Sequence, residues 1–261
     1  MGILNVTPDS FSDGGRFTQD GALLTQIETM LDSGADLIDV GGESTRPYAE
    51  PVSEQEELRR VIPAIACIRA RHGDIPISVD TTKAEVARQA LQAGADIIND
   101  VSGLRFDAEM IRVAIAHEAP VILMHMRKTP KDMQDEPEYD DVIREIMEFL
   151  AERIAWATAQ GLDRQRIIVD PGLGFGKTME HNLTILKHLR VFKNLGCPLL
   201  IGHSRKAFIG KLLDLETRER DLATALISAY CATQGADILR VHDVEKTRQA
   251  VRLHEAILQA P

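Results

Sequence analysis

The chain reads as one (β/α)8 barrel domain spanning residues 1–261. Short apolar runs alternate with helical patterns eight times along 261 residues, and such alternation calls for parallel strands joined by crossover helices. Eight units in this length fit a closed barrel. The triplet Gly-Ala-Asp recurs at 34–36, 94–96 and 235–237, each time just before an apolar run, as equivalent helix-to-strand turns would. An open doubly wound sheet is the alternative. It would not need eight regular repeats, and no dinucleotide fingerprint follows the first run.

The elements follow in order. Gly2 to Val6 is the first strand, and Thr7 to Gly15 a polar loop. Gly21 to Ser33 carries Leu23, Leu24, Ile27, Met30 and Leu31 at helical spacing, with Gly34 as its C-cap. Leu37 to Val40 is the second strand. Ser53 caps a helix reaching about Arg71, with Glu56 at the capping-box position. Strand three is Ile77 to Asp80, and its helix runs from Lys83 to Ala93. Strand four is Ile97 to Asp100, followed by a short helix from Ala108 to Ala116. Strand five is Val121 to Met124. A charged, proline-bearing loop then spans Arg127 to Tyr139, and a long helix runs from Asp140 to Gln160. Strand six is Ile167 to Asp170, with a helix from Met179 to Leu189. Strand seven is Leu199 to Gly202, with a helix from Asp221 to Gln234. Strand eight is Ile238 to Val241, and Val244 to Leu258 closes the chain.

The net charge of −10 argues against a general nucleic-acid surface. An anionic substrate would then depend on local cations. Cys67, Cys197 and Cys231 show no paired spacing, which fits a reducing cytoplasm and neither a disulfide framework nor a cysteine-based zinc site. No signal peptide or membrane-length apolar run is visible, so a cytoplasmic location is expected.

Ile167 to Lys177 is the most concentrated functional stretch. An apolar strand runs into Asp170, Pro171 ends the pairing, and Gly172, Gly174 and Gly176 allow tight turns and close approach to a ligand. Gly176-Lys177-Thr178 is not a nucleotide-binding P-loop, because Pro171 stands where its first glycine belongs.

In a barrel of this kind the active site lies where the strands end. Those positions carry Asn5, Asp39, Asp80, Asn99, His125, Asp170, Ser204-Arg205-Lys206, Arg240 and His242. Buried polar groups are costly unless paired with one another or with a ligand. Asp80, Asn99 and Asp170 suit a flat heterocycle with several N–H groups. Asn5, Arg46, Arg240 and His242 suit a polyanion, with Asn5 able to give an oxygen to Mg²⁺. Lys206 suits either half. The loops at 5–15 and 41–47 lack apolar periodicity and suit lids; Phe11 is either a lid contact or packs within its own loop.

Seven motifs together resemble the dihydropteroate synthase family. They are Asn5-Val-Thr-Pro-Asp-Ser-Phe-Ser-Asp-Gly-Gly15, Asp39-Val-Gly-Gly-Glu-Ser-Thr-Arg-Pro47, Ser78-Val-Asp-Thr81, Ile98-Asn-Asp100, Asp170-Pro-Gly-Leu-Gly-Phe175, Ser204-Arg-Lys206 and Arg240-Val-His242. They occur in the family's order over essentially the whole chain. The resemblance implies a TIM barrel of folate biosynthesis. It implies condensation of 7,8-dihydropterin-6-ylmethyl diphosphate with 4-aminobenzoate, through an SN1-like loss of diphosphate assisted by Mg²⁺.

Carried over position by position, the resemblance puts the pterin against Asp80, Asn99, Val101, Met124, Asp170 and Lys206. It puts the diphosphate against Asn5, through Mg²⁺, and against Arg46, Arg240 and His242. It puts the aminobenzoate among Phe11, Thr45, Pro47, Phe175 and Lys206. Asp80, Asp170, Lys206, Arg46, Arg240 and His242 are the expected catalytic groups. Ordered binding, with the diphosphate substrate first, and a homodimer paired through the last helices are further expectations.

The sequence departs from the family's usual pattern in three places. Ala207 stands where a serine usually follows Ser-Arg-Lys, Tyr48 stands where a glycine usually follows Arg-Pro, and Lys128 replaces a usual glycine. Family members also commonly carry an N-terminal segment ahead of the first strand. Competing readings are a corrinoid-linked methyltransferase barrel sharing Asp80, Asn99 and Asp170, a zinc hydrolase using His125, His203 and His242, and a pterin-binding protein without activity. The grouped Arg46, Lys206 and Arg240 disfavour the first. The absence of a His-x-His pair on strand one disfavours the second. The retained Asn5, Arg46 and Arg240 disfavour the third.

Overall fold

Two-residue alternation along each strand decides what faces the lumen of the barrel and what faces the helices around it. A computed structural model describes residues 1–6, 16–44, 49–129, 131–133, 135 and 137–260. Its strands are β1 (Gly2–Asn5), β2 (Ile38–Gly41), β3 (Ile77–Asp80), β4 (Ile97–Asp100), β5 (Val121–Met124), β6 (Ile167–Asp170), β7 (Leu200–Ile201) and β8 (Ile238–Leu239). β1 to β6 pair in parallel in chain order, and β7 pairs with β8. Two bridges complete the ring: Val169 pairs with Leu199 beside β7, and Gly2 pairs with Val241 beyond β8. The second is held by Ile3 N–H to Val241 O at 2.9 Å and Val241 N–H to Met1 O at 3.0 Å. The closed parallel barrel is the architecture read from the sequence.

The helices are α1 (Arg16–Asp32), α2 (Glu54–Arg71), α3 (Ala84–Gln92), α4 (Met110–Ala116), α5 (Val142–Ala159), α6 (Met179–Lys187), α7 (Ala207–Leu213), α8 (Asp221–Thr233) and α9 (Val244–Leu258). α1 starts at Arg16 rather than at Gly21; the glycine sits inside the helix with open space around it. A separate short helix, α7, follows β7. Ser53 caps α2 as expected, its Oγ accepting from Glu56 N–H at 3.3 Å.

The Gly-Ala-Asp repeat has a double purpose. Gly34, Gly94 and Gly235 turn at φ 86°, 111° and 92°, conformations that glycine adopts without strain. In the second and third copies the aspartate then caps the neighbouring strand: Asp96 Oδ2 accepts from Ile77 N–H at 2.8 Å, and Asp237 Oδ2 accepts from Leu199 N–H at 2.7 Å. A repeat that reads as punctuation is therefore also what aligns β3 with β4 and β7 with β8.

Three apolar layers result. Leu4, Ile38, Val40, Ile77 and Val79 face α1 to α3. Ile98, Val121, Leu123, Ile167, Val169, Leu199 and Ile201 face α4 to α8. Inside the barrel, Met1, Ile122 and Leu200 pack with Leu37, Ile97, Ile168 and Ile238. This last cluster is a floor that closes the lumen below the site. Each such side chain contributes about 1.5–3 kcal/mol when fully buried.

Candidate active site at the barrel mouth

One step of two residues up the strands replaces this floor with polar groups. Leu37 gives way to Asp39, Ile97 to Asn99, Ile168 to Asp170 and Ile238 to Arg240. Register then brings the mouth together. Gly41 is the partner of Asn5 on one side and Asp80 on the other, and Asp80 pairs with Asn99. Gly41 has no side chain, and a Cβ there would lie 3.8 Å from both Asn5 Oδ1 and Asp80 Oδ2. Gly202 does the same between Asp170 and Arg240, where a Cβ would sit 3.6 Å from Asp170 Oδ2 and 3.9 Å from Arg240 Cδ. The glycines keep the mouth open.

Asp39 is the hub. It is fully buried and accepts from Ser78 Oγ at 2.5 Å, from Asn99 Nδ2 at 3.3 Å on both oxygens, and from Arg240 Nε at 2.6 Å. Arg240 Nη2 also donates to Asp80 Oδ2 at 2.6 Å. Arg240, read from sequence as a cation for a polyanion, is thus already paired to two carboxylates. Asn99 turns its amide N–H toward Asp39, which leaves its carbonyl oxygen for a donor. Asp80 is pushed up to about 7 by burial, partly offset by Arg240. Burial likewise raises Asp170 to about 6, against the Gly172 N–H that its Oδ1 accepts at 2.7 Å. These two carboxyl groups are poised to hold or release protons near neutrality.

Lys206 covers the opposite side of the mouth. Its Nζ lies 4.0 Å over the Phe175 ring, a cation–π contact. Burial, followed by the charge of Arg240, lowers it to about 8. Phe175, Val101 and Met124 form one buried apolar cluster with Met126 and Met133. The structure therefore gathers Asp80, Asn99, Val101, Met124, Asp170, Phe175, Lys206 and Arg240 at one end of the barrel. Phe11, Thr45, Arg46 and Pro47 lie outside the described residues, as do Tyr48 and the whole first loop from Thr7 to Gly15.

The histidines do not form a metal centre. His125 Nδ1 is 2.9 Å from the buried Lys177 Nζ, and its ring meets Phe149 edge-on at 4.9 Å. His203 Nε2 turns to Ser228 Oγ at 2.9 Å. His242 Nδ1 lies 2.9 Å from Ser204 Oγ, and Ser204 Oγ accepts from His242 N–H at 3.1 Å. Among the described residues no group of three potential metal-binding His, Cys, Asp or Glu exists. Burial, then Arg205 and Arg240, lowers His242 to about 3, so in the free protein it is a neutral hydrogen-bonding group. Arg205 holds Asp221 through two contacts of 2.6 and 2.8 Å.

Comparison with known proteins decides the family. A family model described as pterin binding enzyme matches residues 1–242. The dihydropteroate synthase of Synechocystis is 51% identical over 98% of this chain and 89% of its own length. That of Bacillus subtilis is 46% identical over 99% of this chain and 88% of its own. The chain belongs to the dihydropteroate synthase family. The crystal structure of the Yersinia pestis dihydropteroate synthase with a sulfonamide drug complex matches with a TM-score of 0.93 and 45% identity, covering 100% of this chain and 94% of that one. The Xanthomonas albilineans dihydropteroate synthase in complex with 7,8-dihydropteroate matches with a TM-score of 0.90 and 42% identity, over 100% and 94% of the two chains.

Within this dihydropteroate synthase fold, sequence reasoning undervalues two groups. Asp39 reads there as one more strand-end carboxylate without a role; its position one alternation step above Leu37 is the available signal. Lys177 falls within the failed P-loop and draws no further attention. It is buried between His125 Nδ1 and the Phe175 carbonyl, 3.0 Å away, and burial lowers it to about 7. No sequence pattern marks that position. The three cysteines are free, as expected, and no helix among the described residues is long and apolar enough to cross a membrane.

Proposed function

We propose that the protein condenses 7,8-dihydropterin-6-ylmethyl diphosphate with 4-aminobenzoate, giving 7,8-dihydropteroate and diphosphate in folate biosynthesis in the cytoplasm. The observation that carries this reading is the convergence of Asp80, Asn99 and Asp170 with Lys206 and Arg240 in one lumen mouth. The three acceptor groups match the N–H edge of a pterin, and Val101 and Met124 supply an apolar bed for its ring. Lys206 and Phe175 lie together where an arylamine ring would lie against the pterin methylene.

The chemistry follows from where charge develops. The bond from the methylene carbon to the diphosphate oxygen breaks first, and its electron pair leaves with diphosphate. Asp80 and Asp170 stabilise the positive charge left on the pterin. The arylamine nitrogen then forms the new C–N bond and gives up a proton to water or to the released diphosphate. His242, its Nδ1 held 2.9 Å from Ser204 Oγ, is a neutral hydrogen-bonding group on the side of the leaving diphosphate. Arg240 is preorganised by Asp39 and reaches the diphosphate side from its carboxylate pairs, together with Arg46.

Mg²⁺ fits this donor set as an ion that arrives with the diphosphate. Asn5 is half-buried at the lumen edge with its Oδ1 toward Gly41, and a hard cation takes one protein oxygen readily when phosphates supply the rest. When bound, it neutralises charge on the leaving diphosphate. The reading also includes a homodimer. Leu222, Leu226 and Tyr230 form an exposed stripe at i, i+4 and i+8 on α8, beside exposed Leu253 and Ile257 on α9; such a continuous apolar face marks an interaction site, and sedimentation of the protein measures it.

The deciding experiment is diphosphate release from the dihydropterin diphosphate with Mg²⁺, with and without 4-aminobenzoate. Release coupled to dihydropteroate is expected. Pterin binding without release under either condition overturns the reading.

A further inference from the structure

One buried ion cluster beside the mouth has no part in the chemistry above. Lys83 Nζ lies 2.5 Å from Glu43 Oε2 and 2.6 Å from Glu57 Oε2. The three residues come from separate elements: Glu43 from the segment after β2, Glu57 from α2, and Lys83 from the turn after β3 that begins at Asp80. The Glu57 side chain is 0% exposed, while those of Lys83 and Glu43 are 24% and 22% exposed. Burial alone would lower the Lys83 pKa, but its hydrogen bonds to Glu43 and Glu57 outweigh that and raise it. Lys83 is therefore a fixed cation between two carboxylates. The cluster lines a cavity of about 340 Å³ that is also walled by Asp80, Val101 and Pro51.

The cluster grips both stems of one segment. Glu43 Oε1 accepts from Val52 N–H at 3.0 Å, so a side chain on the first stem holds the second. Just before it, Gly42 presses onto α2 so closely that a Cβ would sit 2.8 Å from Val61 Cγ1 and 3.1 Å from Glu57 Cγ. Arg60 Nη1 donates to the Gly42 carbonyl at 2.8 Å. In the sequence, Thr45, Arg46 and Pro47 fall between these two stems.

We infer that Lys83 is a positioning residue for the reaction: through Glu43 it fixes the stems flanking Thr45, Arg46 and Pro47, and ties them to Glu57 and to the turn that follows Asp80. The inference rests on the proposed assignment of those three residues to aminobenzoate and diphosphate. Removing the lysine leaves two carboxylates facing each other without their cation. The stems then separate, while Asp80, paired with Asn99 in the sheet and held by Arg240 Nη2 at 2.6 Å, stays in place with Asn99 and Asp170.

The test uses the full chain with Lys83→Met, Glu43→Gln and the double variant. Steady-state assays give KM for each substrate and kcat, and calorimetry gives the Kd of 6-hydroxymethylpterin, which carries no diphosphate. Lys83→Met raises the KM for 4-aminobenzoate at least tenfold while the pterin Kd stays within twofold. Glu43→Gln, which keeps an oxygen for Val52 N–H, raises that KM less. The double variant is no worse than Lys83→Met, because both act through one tie. An aminobenzoate KM within twofold of the parent overturns the inference. So does a parallel loss of pterin affinity, which would mark a purely structural pair. If Lys83→Met does not fold, Glu43→Gln decides by the same split. A parent that binds the pterin but forms no dihydropteroate removes the proposed function and this inference with it; a competent parent with unmoved variants removes only the inference.

Discussion

The floor and the mouth of the lumen stand on the same strands, two residues apart, and follow opposite rules. At the floor, Ile97, Ile122, Ile168, Leu200 and Ile238 pack together with Met1 and Leu37 in one apolar cluster. At the mouth, Asn99, Asp170 and Arg240 continue three of those strands and meet charge. The floor gains stability from every side chain it buries. The mouth buries carboxyl groups whose ionised forms are disfavoured by that burial, and retains them because a ligand can use them. A barrel of this kind is stabilised from below and loaded with chemistry from above.

Asp39 is where the two regions meet, so its removal has the largest expected effect. Asp39→Ala leaves Arg240 paired only to Asp80 and strips Ser78 and Asn99 of their acceptor. Losing one partner of a buried ion pair costs about 3–5 kcal/mol, and urea midpoints with unchanged slope will report it. A loss under about 1 kcal/mol would mean that Asp39 is not the hub. Leu200→Ala tests the floor by itself. It is expected to cost about 2–5 kcal/mol, with the Kd for a pterin unchanged, because the floor residues stand one alternation step below the polar groups of the mouth.

Asp170→Asn separates the two regions most sharply, since stability and binding should move in opposite directions. Burial raises Asp170 to about 6 and Asp80 to about 7. The folded state therefore holds protons that the unfolded chain has released, and stability falls as pH rises from about 4 toward 7. The substitution removes one of these groups, so the variant is at least as stable as the parent at pH 7 and its stability depends less on pH between about 4 and 6. Its pterin affinity falls by roughly 1.5–3 kcal/mol, the range for a hydrogen bond to a charged group. Thermal melts across pH and pterin calorimetry check the two halves, and an unchanged pterin Kd would remove Asp170 from the pterin site. Lys177, lowered to about 7, has the opposite sign. The unfolded chain keeps its proton to about 10.4, so this lysine makes stability rise with pH between those values.

These contrasts also explain what can be read in the sequence. The barrel is legible because strand and helix periods differ and repeat. The mouth is legible because a polar residue closing an apolar run stands out against a period of two, as Asp80, Asn99 and Asp170 do. Partnership is not legible. That Arg240 is shared by Asp39 and Asp80, or that Lys83 joins Glu43 to Glu57, depends on side chains converging from distant elements. Protonation is hidden for the same reason: nothing in the sequence shows that burial beside Arg205 and Arg240 keeps His242 neutral. The start of α1 escapes notice because Gly21 looks like a boundary, although nothing crowds it inside the helix.

Ala207 offers the smallest and most specific change. It is exposed at the start of α7, directly after Lys206, whose ammonium lies over Phe175. The family usually has a serine here. Ala207→Ser adds one hydroxyl next to Lys206, on the side of the mouth proposed for 4-aminobenzoate, where it could reach that substrate's carboxylate, and it does so at a helix start, where serine is tolerated without crowding the core. A hydrogen bond to a charged group at an exposed position should lie at the low end of its range, about 1.5 kcal/mol, which is roughly tenfold in affinity. The KM for 4-aminobenzoate should fall by up to that factor, with the pterin Kd and the melting temperature unchanged. An unchanged KM would mean that the carboxylate is held elsewhere in this protein, by groups that make the missing hydroxyl redundant. That outcome would move the aminobenzoate away from α7 and toward the segment that Lys83 anchors.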